Sequence, residues 1–152
     1  MLLWMAALAG CDAAPIYGDG ESAKAIGTIP PRSGWTATGT VQNAANAVDG
    51  NINTIAVAAQ GSAGAQVTID LGKPGLLNMM AVDHGRNEFG YARQLAVSTS
   101  LDGQRFTRRY TAGGTRRVST YLLLTPILCR YIRLEVLVPG DQPWSVAEVY
   151  VQ

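Results

Sequence analysis

The feature that most restricts the fold is a two-residue alternation that recurs along the chain and is never replaced by a long helical period. Val67, Ile69 and Leu71 alternate with Gln66, Thr68 and Asp70. Ile132, Leu134 and Val136 alternate with Arg133 and Glu135. Successive strand residues point to opposite faces, so each run describes a half-buried strand. Leu95–Ser100 alternates again, and Leu77–Val82 is a continuous apolar run suited to an interior strand. Phe106–Tyr110, Val118–Leu124 and Val146–Val151 are further strand-like stretches, and Trp35–Thr40 opens the series. Lys73-Pro74-Gly75, Leu101-Asp102-Gly103-Gln104, Gly113-Gly114 and Pro139-Gly140 punctuate them. A helical turn over Asn43–Val48 is the only helical feature expected. The pattern predicts an all-β antiparallel β-sandwich.

The chain has 152 residues, 47% hydrophobic and 15% charged, with a formal net charge of +1. One domain with a real core follows, and wholesale disorder does not. The charge balance gives no electrostatic case for a nucleic-acid partner.

The N-terminus reads Met-Leu-Leu-Trp-Met-Ala-Ala-Leu-Ala-Gly before Cys11. That run is too short to span a bilayer as a helix and has the length of a signal-peptide apolar region. Leu8-Ala9-Gly10-Cys11 resembles a bacterial lipobox, in which Cys11 becomes the lipidated N-terminus, although no Lys or Arg precedes the apolar run. The organisation expected is a signal peptide over 1–10, a Pro- and Gly-bearing tether over 11–33, and a domain over 34–152. Localisation to a bacterial cell envelope, on the membrane through the N-terminal lipid, follows from that reading. An apolar arm that packs on a partner is the alternative. The chain has two cysteines. Either Cys11 carries lipid and Cys129 is a buried free thiol, or the two form a disulfide.

Two constellations carry chemistry. The first is Asn46-Ala47-Val48-Asp49-Gly50-Asn51-Ile52-Asn53-Thr54, which gathers oxygen donors around a glycine. Carboxylate, amide, hydroxyl and main-chain oxygens are what a hard cation such as Ca2+ selects, although Asp-Gly-Asn loops are also ordinary turns. Glu148 interrupts the apolar stretch Val146-Ala147-Val149, where an ionised carboxylate needs a partner: a cation, an Arg, or water. The second is Asp83-His84-Gly85-Arg86-Asn87-Glu88-Phe89-Gly90-Tyr91, a glycine-bounded loop after an apolar strand, with the chain's one histidine. Its polar groups suit sugar hydroxyls and its aromatic rings suit a pyranose face. The bland alternative is a loop salt bridge plus packing.

The order Ala-Asn-Ala-Val-Asp-Gly-Asn-x-x-Thr, Val67-Thr68-Ile69-Asp70-Leu71-Gly72, Ser98-Thr99-Ser100-Leu101-Asp102-Gly103, Cys129-Arg130-Tyr131-Ile132-Arg133-Leu134 and Ala147-Glu148-Val149-Tyr150-Val151 resembles a discoidin domain, also called coagulation factor 5/8 type C, a group that includes the family 32 carbohydrate-binding modules. The resemblance runs from about Trp35 to the C-terminus. It implies a jelly-roll sandwich of about eight main strands. It implies a structural Ca2+ held by Asp49, Asn51, Thr54, the Asn46 carbonyl, and Ala147-Glu148. It implies a glycan or glycoconjugate partner read by His84, Arg86, Asn87, Phe89, Tyr91 and Trp144, with Trp35 more suited to packing. One departure is that Thr54 is followed by Ile55-Ala56-Val57 where the family often has a Trp. Nothing resembles a nucleophile elbow, a phosphate-binding glycine loop or a histidine metal cluster, so no enzyme is expected. Two functions remain: a non-catalytic carbohydrate-binding module tethered to the envelope, or a structural or adhesive domain that docks a protein partner in a surface assembly.

Overall fold

A computed structural model describes residues 28–152. The expected signal peptide, Cys11 and most of the tether lie outside the described residues. Eight strands are present among the described residues: β1 (Thr36–Gly39), β2 (Ala56–Val57), β3 (Gln66–Asp83), β4 (Gln94–Ser100), β5 (Thr107–Ala112), β6 (Val118–Val138), β7 (Ser145–Val146) and β8 (Glu148–Val151). All pairings are antiparallel. The main sheet runs β1-β3-β6-β4-β5, with β8 also on β3, and β2 pairs with β7. Among the described residues no helix is long and apolar enough to cross a membrane.

The long ribbon of β3 and β6 organises the molecule. The expected breaks at Lys73-Pro74-Gly75 and after Leu124 do not end strands. They appear as register shifts between Asp70 and Gly75 and between Leu77 and Met79. Such irregularities bend a ribbon while its pairing continues. The first half of β3 takes β1 at its edge and the second half takes β8. Val67, Ile69 and Leu71 from the first half and Met80 and Val82 from the second share one core with Leu95, Ile132, Leu134, Val146 and Val149. A ribbon whose two halves face one core must fold over itself, which produces the sandwich's two layers.

Local chemistry sets the turns. After β4, the main-chain N–H groups of Arg105 and Gln104 donate to the Asp102 carboxylate, as does the Ser100 hydroxyl, holding the Asp102 carboxyl down at about 2. Gly103 follows at φ 74°, a region that side chains with Cβ resist. The expected helical turn is a 3-10 turn at Ala44–Val48.

One sequence expectation changes. The tether does not reach Ser33: Thr28 and Ile29 lie against Gly75, where an added Cβ would sit 2.7 Å from the Thr28 carbonyl. Arg32 reaches the closing strand, its Nη1 donating to the Val149 carbonyl at 3.0 Å. Cys129 is fully buried and has no disulfide partner among the described residues, and burial pushes its pKa up to about 11.

Candidate functional site

Three segments meet at one end of the sandwich, and Gly85 is where they touch. A Cβ on Gly85 would lie 2.8 Å from the Ala147 Cβ and 2.8 Å from the Ile52 carbonyl. The loop after Asp49, the loop after β3 and the closing segment before β8 are therefore in contact. The ribbon adds a fourth: β3–β6 register sets Asp83 opposite Val118, and the His84 N–H donates to the Arg117 carbonyl at 2.8 Å. These segments line a cavity of about 290 Å³ formed by Ile52, Asn53, Asp83, Gly85, Arg86, Glu88 and Arg117. Beside it lies a smaller cavity of about 120 Å³, lined by Phe89, Tyr91, Arg93, Gly140, Asp141 and Gln142.

Arg86 is exposed and has no carboxylate partner among the described residues. The Glu88 carboxylate is bound by Arg116, at 2.6 Å from its Nε. The same guanidinium covers one face of Phe89 at 4.7 Å from the ring centre, and Phe89 remains 53% exposed. The site thus offers hydrogen-bond donors, acceptors and one open aromatic face in close sequence.

Sequence reasoning missed Arg117. It lies shortly after the Gly113-Gly114 break, and only the β3–β6 register brings it to the Asp83 loop. Its φ of 68° is a left-handed conformation that a residue of this size rarely adopts.

Three expected ligand-binding residues are placed elsewhere in the scaffold. His84 is 1% exposed. Its Nδ1 lies 2.7 Å from the Ser145 carbonyl and its Nε2 3.1 Å from the Ser119 hydroxyl. A carbonyl only accepts, so Nδ1 carries the proton and both ring nitrogens are used. Burial lowers the His84 pKa, against the opposing pulls of the Ser145 carbonyl and Asp83. Trp144 is 3% exposed and packs in the core, so its ring cannot stack on a sugar. Asn87 is half-buried, and its Nδ2 donates to Ser145 Oγ at 2.9 Å, tying the loop to the strand. Arg86 lines the larger cavity, and Phe89 and Tyr91 line the smaller. Trp35 packs against the core and donates from Nε1 to the Pro30 carbonyl.

The family-implied cation can be tested on the Asp49 loop. Thr54 Oγ1 lies 2.7 Å from Asp49 Oδ2 and 2.7 Å from the Asn51 carbonyl. One hydroxyl proton serves only one of those acceptors, so three oxygens converge with one proton between them. That donor set fits a hard cation. Asn46 is turned to a structural bond, its Nδ2 donating to the Ile55 carbonyl. The Ala147 N–H donates to the Asp83 carbonyl, so that residue's placement is set by the sheet. Glu148 departs from the expectation. It is 2% exposed, and its Oε1 lies against the Arg32 guanidinium, a charge contact rather than an aligned hydrogen bond. Arg32 meets the charge, so the burial of Glu148 does not by itself call for a metal. Among the described residues no three His, Cys, Asp or Glu side chains cluster. A cation here rests on one carboxylate, Asp49, and neutral oxygens.

Comparison with known proteins agrees with this architecture. No curated protein matches the chain. A Clostridium perfringens module, CpGH89CBM32-5, solved in complex with GalNAc-beta-1,3-galactose, superposes with TM-score 0.72 at 20% identity, over 80% of this chain and 96% of that one. The family 32 module of C. perfringens NanJ, solved in complex with galactose, gives 0.71 at 21% identity, over 82% and 97%. A module, CBM32-3, from a C. perfringens family 31 glycoside hydrolase gives 0.67 at 25%, over 80% and 93%. The F5/8 type C domain model matches residues 23–149, and the chain belongs to that family.

Proposed function

We propose that this chain is a non-catalytic carbohydrate-binding module that reads a glycan at the loop end of its sandwich. The observation that carries the reading is the cavity in which Arg86 and Arg117 stand beside Asp83, Glu88 and Asn53, one residue from the exposed ring of Phe89. Guanidinium and carboxylate groups hydrogen-bond directionally to ring hydroxyls, and a half-open aromatic face packs on a sugar's C–H surface. Two structural neighbours were solved with galactose-containing sugars, and another, the family 32 module of AlyQ, with 4,5-unsaturated mannuronic acid. Shallow sites of this kind bind weakly and gain from multiple copies.

The test is a glycan array with the full chain, followed by calorimetry on any hit. Arg86→Ala and Phe89→Ala should each weaken binding by roughly tenfold, the size expected from one charged hydrogen bond or one stacked ring. A chain that binds no glycan, yet recovers a stable protein partner through the same loop, favours the adhesive reading instead.

Two further elements belong to this reading. The Asp49 loop holds a structural Ca2+ through Asp49, Asn51 and Thr54, supported by the three converging oxygens. Lipid on Cys11 tethers the module to a bacterial envelope, supported by the apolar run that ends in Leu8-Ala9-Gly10-Cys11. Cys11→Ser should abolish palmitate labelling in a bacterial host.

A further inference from the structure

A second cavity of about 290 Å³ opens on the outer face of the main sheet and shares no lining residue with the loop site. Strand register builds it as two rows across three strands. One row is Thr36 of β1, Asp70 of β3 and Tyr131 of β6; the other is Thr38, Thr68 and Arg133. Register partners within a row point to the same side, and the two rows share that face because each strand repeats every two residues. Gly103 closes the rim, where an added Cβ would lie 3.1 Å from the Tyr131 ring.

The charges in this groove are not balanced. Asp70 is neutralised by a two-pronged pair with Arg130, at 2.8 Å and 2.9 Å. Arg133 has no such partner: among the described residues no carboxylate lies within ion-pair distance of it. It is nevertheless held in place. Its guanidinium lies 3.7 Å from the Phe106 ring centre, and its Nε donates to Thr68 Oγ1 at 3.2 Å. A stacked, half-buried guanidinium with its remaining donors uncommitted is pre-organised for a planar anion. In sequence, the segment from Gly103 to Leu134, which holds Arg133, contains arginines but no Asp or Glu.

We propose that this face is a second binding site, which takes a sugar bearing a carboxylate and uses Arg133 as the clamp. Three threonine hydroxyls and the Asp70 carboxylate then serve the ring hydroxyls. Nucleic acid suits the groove less well. Asp70 and Glu135 oppose a continuous phosphate backbone, and the Tyr131 ring is approached by Gly103 and by Arg130, whose guanidinium is 4.9 Å from its centre, so it offers no free platform for a base.

Calorimetry of the full chain with trigalacturonate and with its carboxyl-reduced counterpart tests the idea. The native chain should bind the uronate, and the neutral trisaccharide at least about tenfold more weakly. Arg133→Ala should lose about tenfold in uronate affinity and much of its salt dependence. Thr38→Glu, an exposed change on an edge strand, should do the same without touching the core. The proposal is overturned if the native chain does not bind trigalacturonate, if both variants bind it as the native chain does, or if the loss appears in Arg86→Ala and not in Arg133→Ala. Neutral-glycan binding lost in Arg86→Ala bears only on the loop site, so the two readings fail separately.

Discussion

Two buried ionisable residues explain much of how the loops are held. His84 is the hinge pin of the Asp83–Tyr91 loop, donating from Nδ1 to Ser145 and accepting at Nε2 from Ser119. Its pKa is lowered from 6.5, chiefly by burial. In the unfolded chain it protonates near that ordinary value, while the folded chain resists. The stability it contributes is therefore complete above about pH 6.5 and declines as pH falls from there towards the lowered folded-state value. The melting temperature should drop across that window, and His84→Gln should flatten the drop. An unchanged slope in the variant would show that other groups carry it. Glu148 and Arg32 form the second pair. Removing Arg32 strands a carboxylate that is 2% exposed, so Arg32→Ala should cost about 3 kcal/mol in urea denaturation. Replacing both at once, Arg32→Met with Glu148→Leu, should recover most of it. A negligible loss in the single variant would mean that Glu148 is neutralised by something other than Arg32.

At the scale of elements, the turn between β4 and β5 is where backbone conformation and side-chain packing coincide. Gly103 combines a φ of 74° with a Tyr131 ring 3.1 Å from where a Cβ would stand. Gly103→Ala therefore carries about 1–2 kcal/mol of left-handed backbone cost, with a ring displacement added. Chemical denaturation should show a loss of at least that size, and a neutral result would mean that the turn relaxes freely. The strands themselves were legible from alternation, because burial on one face of a sheet imprints a period of two. Their lengths were not. Lys73-Pro74-Gly75 reads as a terminator, yet β3 continues through it, because the ribbon bends there instead of ending. Likewise Ala147 separates β7 from β8 within what reads as one run, since Ser145–Val146 pairs with β2 and Glu148–Val151 with β3.

For the whole molecule, the Asp49 loop and the closing segment both lie against Gly85, so the cation proposed at Asp49, Asn51 and Thr54 would sit on a loop packed near the end of the chain. With one carboxylate the affinity is modest, and stabilisation follows occupancy, about 2.7 kcal/mol at a hundredfold excess over Kd. Millimolar Ca2+ should raise the melting temperature by a few degrees. Chelation should reverse the rise, and Asp49→Ala should erase the difference. Identical melts with and without the ion would remove Ca2+ from this loop.

The amino-acid order alone determined the β-sandwich and the family resemblance and marked two candidate loops, because alternation, turn residues and oxygen-rich spacing are local properties. Which side chains those loops present was a tertiary decision. His84 and Trp144 have the right chemistry for a sugar, but packing spends them in the core, while Arg117 enters the site only because β6 runs beside β3. Glu148 stood out in sequence as a carboxylate in need of a partner, whether a cation, an Arg or water, and long-range contact chose the guanidinium of Arg32, 116 positions away. Burial and pairing depend on where separated segments meet, and no window of neighbouring residues contains that information.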